Sequence, residues 1–332
     1  MTGRRPRIAV IGTGGTISSF GADPFDVQDY MRHGDRGDAA RMLAHYGDVA
    51  RLADLVPVAF PSVPSTEIGF AEWRALVLEI DRLAADEMDG VVILHGTATM
   101  EETAYALSLT LQADIPVVLT GAQRPASALS ADGGANLSAA IRTAAAPAAR
   151  DLGVLLVMNE EIHAAREVTK TATFRLQTFR SPDFGALGHA DVDSVAIYRR
   201  PARATGPGLP FDIRGVETPP RVDIAYAHAG ADGTAIRAFA AAGAQGIVAA
   251  ALAPGLLPPA QMAALVEASA DGIACAMSSR AGSGRVVALT PLREAGILAA
   301  DTLNPQKARI LLQCALAAGM DRAAMADAFA TY

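Results

Sequence analysis

The chain has 332 residues, 51% hydrophobic and 19% charged, with a formal net charge of −7. That length and apolar content can bury the core of one large α/β domain or two ordinary ones, while the negative balance disfavours binding to a phosphate backbone, so nucleic acid is not an expected partner. No run approaches the ~18 to 20 consecutive apolar residues of a membrane-spanning helix, and Cys275 and Cys314 lack the spacing of a disulfide framework or a zinc site.

The first element is a strand. "RIAVIG" follows a basic start, but its apolar run from Ile8 to Ile11 is too short for the core of a signal peptide, so a cytoplasmic protein is expected. "VVILHG", "IPVVLTG" and "GVLLVMNE" follow, separated by alanine-rich helical stretches, which is the pattern of βαβ units on a parallel sheet. The expected class is therefore α/β. Open parallel sheets bind ligands at the carboxyl ends of their strands, so a site is expected to collect Gly12 to Thr16, His95 to Thr99 and Thr120 to Arg124. From Tyr198 to Pro220 the chain is rich in proline, glycine and arginine and has neither period, as an interdomain linker would. The pattern then restarts with "VDIAYAH", "GIVAAAL" and "IACAMSS" and ends in a helical finish from Pro305 to Phe329. The expected organisation is an N-terminal catalytic domain over residues 1–197, a linker over 198–220 and a smaller C-terminal α/β domain over 221–332.

"IGTGGTISS" is the first stretch that carries chemistry. Gly12 and Gly14 fit the first two positions of G-x-G-x-x-G, but the third is Ile17 and no P-loop lysine follows, so a nucleotide site is disfavoured. What remains is a threonine hydroxyl, Thr16 or Thr13, on a turn whose glycines let backbone and substrate approach closely. A threonine nucleophile needs a proton acceptor and oxyanion donors. Lys170, in "REVTKTATF", is a candidate acceptor if burial lowers its pKa, although a lone lysine is usually a surface residue.

Taken together, "TGGTI" from Thr13, "HGTATMEETA" from His95, "TGAQRPASALSADGGANL" from Thr120, "REVTKTATF" from Arg166 and "TLNPQKARILL" from Thr302 resemble the bacterial L-asparaginases, threonine amidohydrolases, over almost the whole chain. The resemblance implies a larger N-terminal parallel-sheet domain and a smaller C-terminal α/β domain, with no cofactor and no metal. It also implies a small-molecule amide substrate, cleaved through an acyl-enzyme, and a homotetramer, a dimer of dimers, with sites between the domains of paired subunits. It makes Thr16 the nucleophile, Thr97 the second threonine and Lys170 its activating amine, with Tyr30 from the loop after the first strand assisting Thr16 and Tyr46 the other tyrosine in range. Ser65 matches the serine that holds the substrate α-carboxylate.

One position departs from the family pattern. Ala98, between Thr97 and Thr99, stands where the resemblance implies an aspartate that completes the threonine–lysine relay and receives the α-amino group of asparagine. Thr66 and Pro254 stand where a glutamine and an asparagine are usual. A methyl group cannot balance a substrate ammonium, and an unpaired charge in a closed site costs several kcal/mol. The backbone N–H of residue 98 survives, however, as an oxyanion donor beside Gly96. The expected substrate is therefore a carboxamide, imide or lactam without an α-amino group. Two alternatives stand beside it. One is an asparaginase proper, in which Glu67, Glu101 or a neighbouring subunit supplies the charge; Glu101 and Glu102 themselves read as first-turn helix acids. The other is a weakened metabolite-binding protein, against which the retention of Thr16, Thr97 and Lys170 argues.

The remaining polar residues are expected to be structural. His95 reads as hydrogen-bonded in place, and His33, His45, His163, His189 and His228 show no metal-ligand spacing. Arg124 and Asp132 are expected to order the loop beside the site by pairing. Arg199, Arg200 and Arg203 read as a solvated or interface run.

Overall fold

The computed structural model describes residues 4–204 and 206–332. Residues 1–3 of the basic start, Thr205 of the linker and the His33 side chain lie outside what is described. The chain divides into two compact units, Met1–Gly208 and Leu209–Tyr332, at a point inside the proline- and glycine-rich stretch.

The first unit is built on an eight-stranded sheet. In chain order its elements are β1 (Arg7–Gly12), α1 (Ala39–His45), β2 (Asp54–Val58), α2 (Phe70–Ala85), β3 (Gly90–Leu94), α3 (Met100–Thr110), β4 (Val117–Thr120), α4 (Gly133–Ala145), β5 (Val154–Met158), β6 (Glu161–Ala164), a separate two-stranded hairpin of β7 (Thr169–Lys170) and β8 (Phe179–Arg180), then β9 (Gly188–Ala190) and β10 (Val195–Ile197). The sheet order is β10-β9-β6-β5-β4-β3-β1-β2. Strands β2, β1, β3, β4 and β5 run parallel, as their continuous apolar runs require of strands covered on both faces. Beyond β5 the sheet turns antiparallel. The local cause is a two-residue turn, Asn159 at φ 50° and Glu160 at φ 66°, between Met158 and its partner Glu161. Two consecutive left-handed residues make the tight hairpin that fits the twist of the flanking strands.

Helix α2 repeats apolar residues at Phe70, Trp73, Leu76, Val77, Ile80 and Leu83, all buried, the spacing of a one-faced helix. Helix α3 is buried almost all round. Two of its hydroxyls are returned to the backbone, Ser108 Oγ donating to Tyr105 O and Thr110 Oγ1 to Ala106 O, at 2.8 and 2.7 Å. Each buried leucine-sized side chain here contributes about 1.5–3 kcal/mol relative to exposure.

The sheet order places a site. The chain leaves β1 for β2 on one side and returns to β3 on the other, so the connections diverge between β1 and β3. A crevice at the carboxyl ends of two such strands is where open α/β sheets bind ligands. The residues that emerge there are Thr13 to Thr16 and His95 to Thr99.

The second unit carries a parallel sheet in the order β11 (Val222–Tyr226), β12 (Gly246–Ala251), β13 (Ala274–Ser279) and β14 (Leu298–Ala299), with α5 (Thr234–Ala241), α6 (Pro259–Ala270), α7 (Thr290–Glu294), α8 (Pro305–Ala317) and α9 (Arg322–Thr331). Its core gathers Ile236, Ile247, Leu265, Met277 and Leu292. The helical finish is two helices. Gly319, at φ 68°, ends the first, and the Asp321 carboxylate accepts from Ala324 N to cap the second. Cys275 and Cys314 are buried, and desolvation pushes each thiol up to about 12. Among the described residues no helix is long and apolar enough to cross a membrane.

Candidate active site

The β1 turn is pinned before it is shaped. Thr13 donates both its N–H and its Oγ1–H to Leu94 O, at 2.9 and 3.0 Å, and its own carbonyl accepts from Val63 N. Gly14 and Gly15 follow at φ 103° and 88°. A Cβ on Gly15 would lie 2.2 Å from the Gly96 Cα, so the β1 and β3 turns touch backbone to backbone. Only glycine permits both the dihedral and the approach. The turn delivers Thr16 at the start of a short 3₁₀ segment, half-buried, with its Oγ1 2.8 Å from the Tyr30 hydroxyl.

Tyr30 arrives on the long excursion between β1 and α1. That excursion is tied down at both ends: Phe20 N donates to Asp35 O, Gly37 N to Ser18 O, and the Asp35 carboxylate pairs with Arg41, which lies over the Phe20 ring. It is also tied across, Gly21 N donating to Ser127 Oγ and Leu129 N to Pro24 O. Tyr46, the other tyrosine in range, lies against Gly133 and Gly134 at the start of α4, and its hydroxyl makes no hydrogen bond to Thr16. Desolvation first, then the Asp132 charge, push its phenol up to about 12.

The β3 turn brings a second threonine. Thr97 is buried, and Lys170 Nζ donates to its Oγ1 at 2.8 Å from β7, 73 positions along the chain. The Lys170 amine is held below the ordinary lysine value, mainly by burial, with Glu101 acting in the opposite direction. Glu101 is itself buried, and its Oε2 accepts from Lys170 N at 3.2 Å. The reading of Glu101 as a first-turn acid is thus incomplete: it occupies the first turn of α3 and also holds the strand that carries the lysine. No local signal in "MEET" distinguishes it from Glu102. The contact depends on β7 lying beside α3.

Ser65 is buried in a 3₁₀ turn against Gly96, and its carbonyl accepts from Thr99 Oγ1 at 2.6 Å, while Thr66 is exposed. Ala98 is exposed, and its methyl group brings no polar atom to the turn between Thr97 and Thr99. Thr16, Tyr30, Ser65, Gly96, Thr97, Ala98 and Lys170 thus lie on the loops at the β1 and β3 strand ends or on segments bonded to them. Pro254 lies in the second unit.

The supporting residues divide. His95 is wholly buried, with Nδ1 2.8 Å from Gly96 O and Nε2 2.9 Å from Thr103 Oγ1, which also accepts from Trp73 Nε1. Desolvation lowers its pKa to about 4, so it is neutral and serves as a brace. The expected Arg124–Asp132 pair is corrected. Asp132 accepts from the backbone N–H groups of Gln123 and Arg124 and from Asn136 Nδ2, whereas the Arg124 guanidinium donates to Ser130 O. Arg199 is also corrected: it pairs with the largely buried Glu167 and donates to the carbonyls of Gly185 and Ala186, so it anchors a loop. Among the described residues no group of three or more His, Cys, Asp or Glu side chains could hold a metal ion.

Residues 7–203 match the asparaginase N-terminal domain, and residues 221–329 match the glutaminase/asparaginase C-terminal domain. The chain belongs to the asparaginase family. It is 37% identical over 329 residues to L-asparaginase 2 of Escherichia coli strain K12, covering 98% of this chain and 93% of that one. It is 36% identical over 313 residues to a probable periplasmic L-asparaginase of Haemophilus influenzae, covering 94% and 88%. A crystal structure of a probable cytoplasmic L-asparaginase from Campylobacter jejuni superposes with a TM-score of 0.94 at 36% identity, over 99% of this chain and all of that one. The asparaginase fold and an amidohydrolase activity, on carbon–nitrogen bonds other than peptide bonds, follow from this membership.

Proposed function

We propose that this asparaginase-family amidohydrolase cleaves a carboxamide, or a cyclic imide or lactam, whose acyl part has no α-amino group, through a threonine nucleophile and an acyl-enzyme. The observation that carries the reading is Ala98: the site keeps two threonines, each with a hydroxyl or amine partner, and has a methyl group where a substrate ammonium would need a carboxylate. In the first step Thr16 Oγ1 attacks the amide carbon while its proton is relayed through the Tyr30 hydroxyl, which gives its own proton to the leaving nitrogen, and the negative charge on the former carbonyl oxygen falls to backbone N–H donors of the β3 turn, that of residue 98 among them. The C–N bond then breaks, and the leaving nitrogen, with that proton, departs as ammonia from a primary amide. In the second step a water, its proton drawn toward the Thr97–Lys170 pair, attacks the threonyl ester, releasing the acid and restoring the hydroxyl. In this reading Ser65 holds a carboxylate of the substrate, with Thr66 beside it in the binding site, and no step calls for a cofactor.

The test is ammonia release from L-asparagine and from succinamate, the same molecule without its α-amino group, with Thr16→Ala as the blank. Succinamate is expected to be preferred, and Ala98→Asp is expected to reverse the order. Preference of the unaltered enzyme for asparagine would overturn the reading and favour an asparaginase proper, the activity named for its relatives. We further propose a homotetramer and a cytoplasmic location. Light scattering tests the first. Cell fractionation tests the second, since one relative is described as cytoplasmic and another as periplasmic.

A further inference from the structure

We propose that Glu101 is the positioning residue of the Thr97–Lys170 pair: its buried carboxylate fixes β7 through the Lys170 N–H and supplies the negative field against which the lysine takes up a proton. This rests on the reading of Lys170 as proton acceptor for Thr97. The geometry has two parts. The amine donates to Thr97 Oγ1 at 2.8 Å, and the backbone of the same residue donates to Glu101 Oε2 at 3.2 Å. One carboxylate therefore holds the lysine's main chain while the amine end addresses the threonine. Glu101 is only 6% exposed, so its charge is poorly screened where it acts.

The other charged residues of α3, of the β7–β8 hairpin and of the segment leading into it are Glu102, Arg166, Glu167, Arg175 and Arg180. Glu167 is committed to Arg199, and Arg180 stands opposite Thr169 in the hairpin register. When Thr97 Oγ1 gives up a proton, the Lys170 amine becomes an ammonium in a half-buried site, and burial opposes that change. A fixed carboxylate offsets the opposition without being consumed. Ala98 contributes no charge to the same task.

Lys170 and Lys307 are the only lysines in the chain, so lysine labelled with ¹³C at Cε gives two side-chain signals, assigned by Lys170→Arg. The experiment follows the Lys170 signal through a pH titration in the full-length protein and in Glu101→Gln, Glu101→Asp and Glu102→Gln. Glu101→Gln is expected to move the Lys170 titration roughly one pH unit lower, as loss of a nearby opposite charge does; Glu101→Asp retains most of the original midpoint, and Glu102→Gln leaves it in place. The acid limb of the kcat profile for ammonia release is expected to move with it, with KM little changed. A Lys170 midpoint that is the same in Glu101→Gln as in the parent overturns the proposal, whatever the enzyme hydrolyses. If the midpoint moves but Lys170→Arg turns over substrate like the parent, the inference about Glu101 stands and the proton-acceptor reading falls. Should Glu101→Gln not fold, ¹³C-carboxyl-glutamate in the unaltered protein gives the second reading. Coupled groups titrate reciprocally, so a Glu101 signal without an inflection where Lys170 loses its proton overturns the proposal.

Discussion

Lys170 Nζ donates to Thr97 Oγ1 at 2.8 Å, joining a two-residue strand to the turn after β3. The contact turns a half-buried lysine into a candidate base, because burial holds the amine below its ordinary pKa. Replacing Lys170 with methionine keeps the bulk and removes the acceptor. The expected result is a fall in kcat of about 10²- to 10⁴-fold with KM little changed, the usual range for a lost general base. Steady-state ammonia release from the preferred substrate measures it.

The two tyrosines near the β1 loop should respond in opposite ways. Tyr30 shares a hydrogen bond with Thr16, so Tyr30→Phe should reduce kcat by an order of magnitude or more and leave the melting temperature nearly unchanged. The Tyr46 hydroxyl is buried without a hydrogen-bond partner. Removing it relieves a desolvated polar group, so Tyr46→Phe should be neutral or stabilising by up to about 1 kcal/mol, with activity retained. Paired thermal melts and activity assays separate the two.

His95 gives the fold a pH dependence of definite sign. Desolvation lowers its pKa to about 4 in the folded chain, below the ordinary value of 6.5. Between those values the unfolded chain binds the proton and the folded one does not, so stability falls as pH falls across that window. The loss amounts to roughly 1.4 kcal/mol per pH unit, about 3 kcal/mol in all. Denaturant unfolding at pH 7, 5.5 and 4.5 should show this slope, and His95→Gln should flatten it while lowering stability at pH 7 through its altered bonds to Gly96 and Thr103.

Gly15 and Gly34 both have left-handed backbone, at φ 88° and 67°, but only Gly15 is crowded. Gly34→Ala meets nothing within 4 Å, so it should cost only the dihedral strain, about 1–2 kcal/mol. Gly15→Ala forces apart the two turns that present Thr16 and Thr97. It should cost more than 3 kcal/mol, or abolish activity before stability if the turns separate locally. Comparing melting temperature with residual turnover in the two variants decides which.

The α/β class and the two-part division were legible from alternating apolar runs and a proline-rich interruption, since strand and helix periods are local properties of the chain. "TGGTI" was legible as a close-approach turn because consecutive glycines at a strand end admit dihedrals and backbone contacts closed to other residues. The antiparallel half of the first sheet was not legible, because two consecutive left-handed residues at Asn159 and Glu160 decide it and "NE" is a weak hairpin signal. Tyr30 could be matched to Thr16 only through the resemblance; what places its hydroxyl there is the set of bonds at both feet of the loop. Glu101 shows the limit most plainly. Its first-turn position on α3 was written in the sequence, but its contact with Lys170 crosses 69 positions. The chain alone fixed which chemical groups were available and which of them could share a strand end. Which carboxylate faces the lysine was decided by packing, because side-chain proximity between distant segments has no period for a sequence to display.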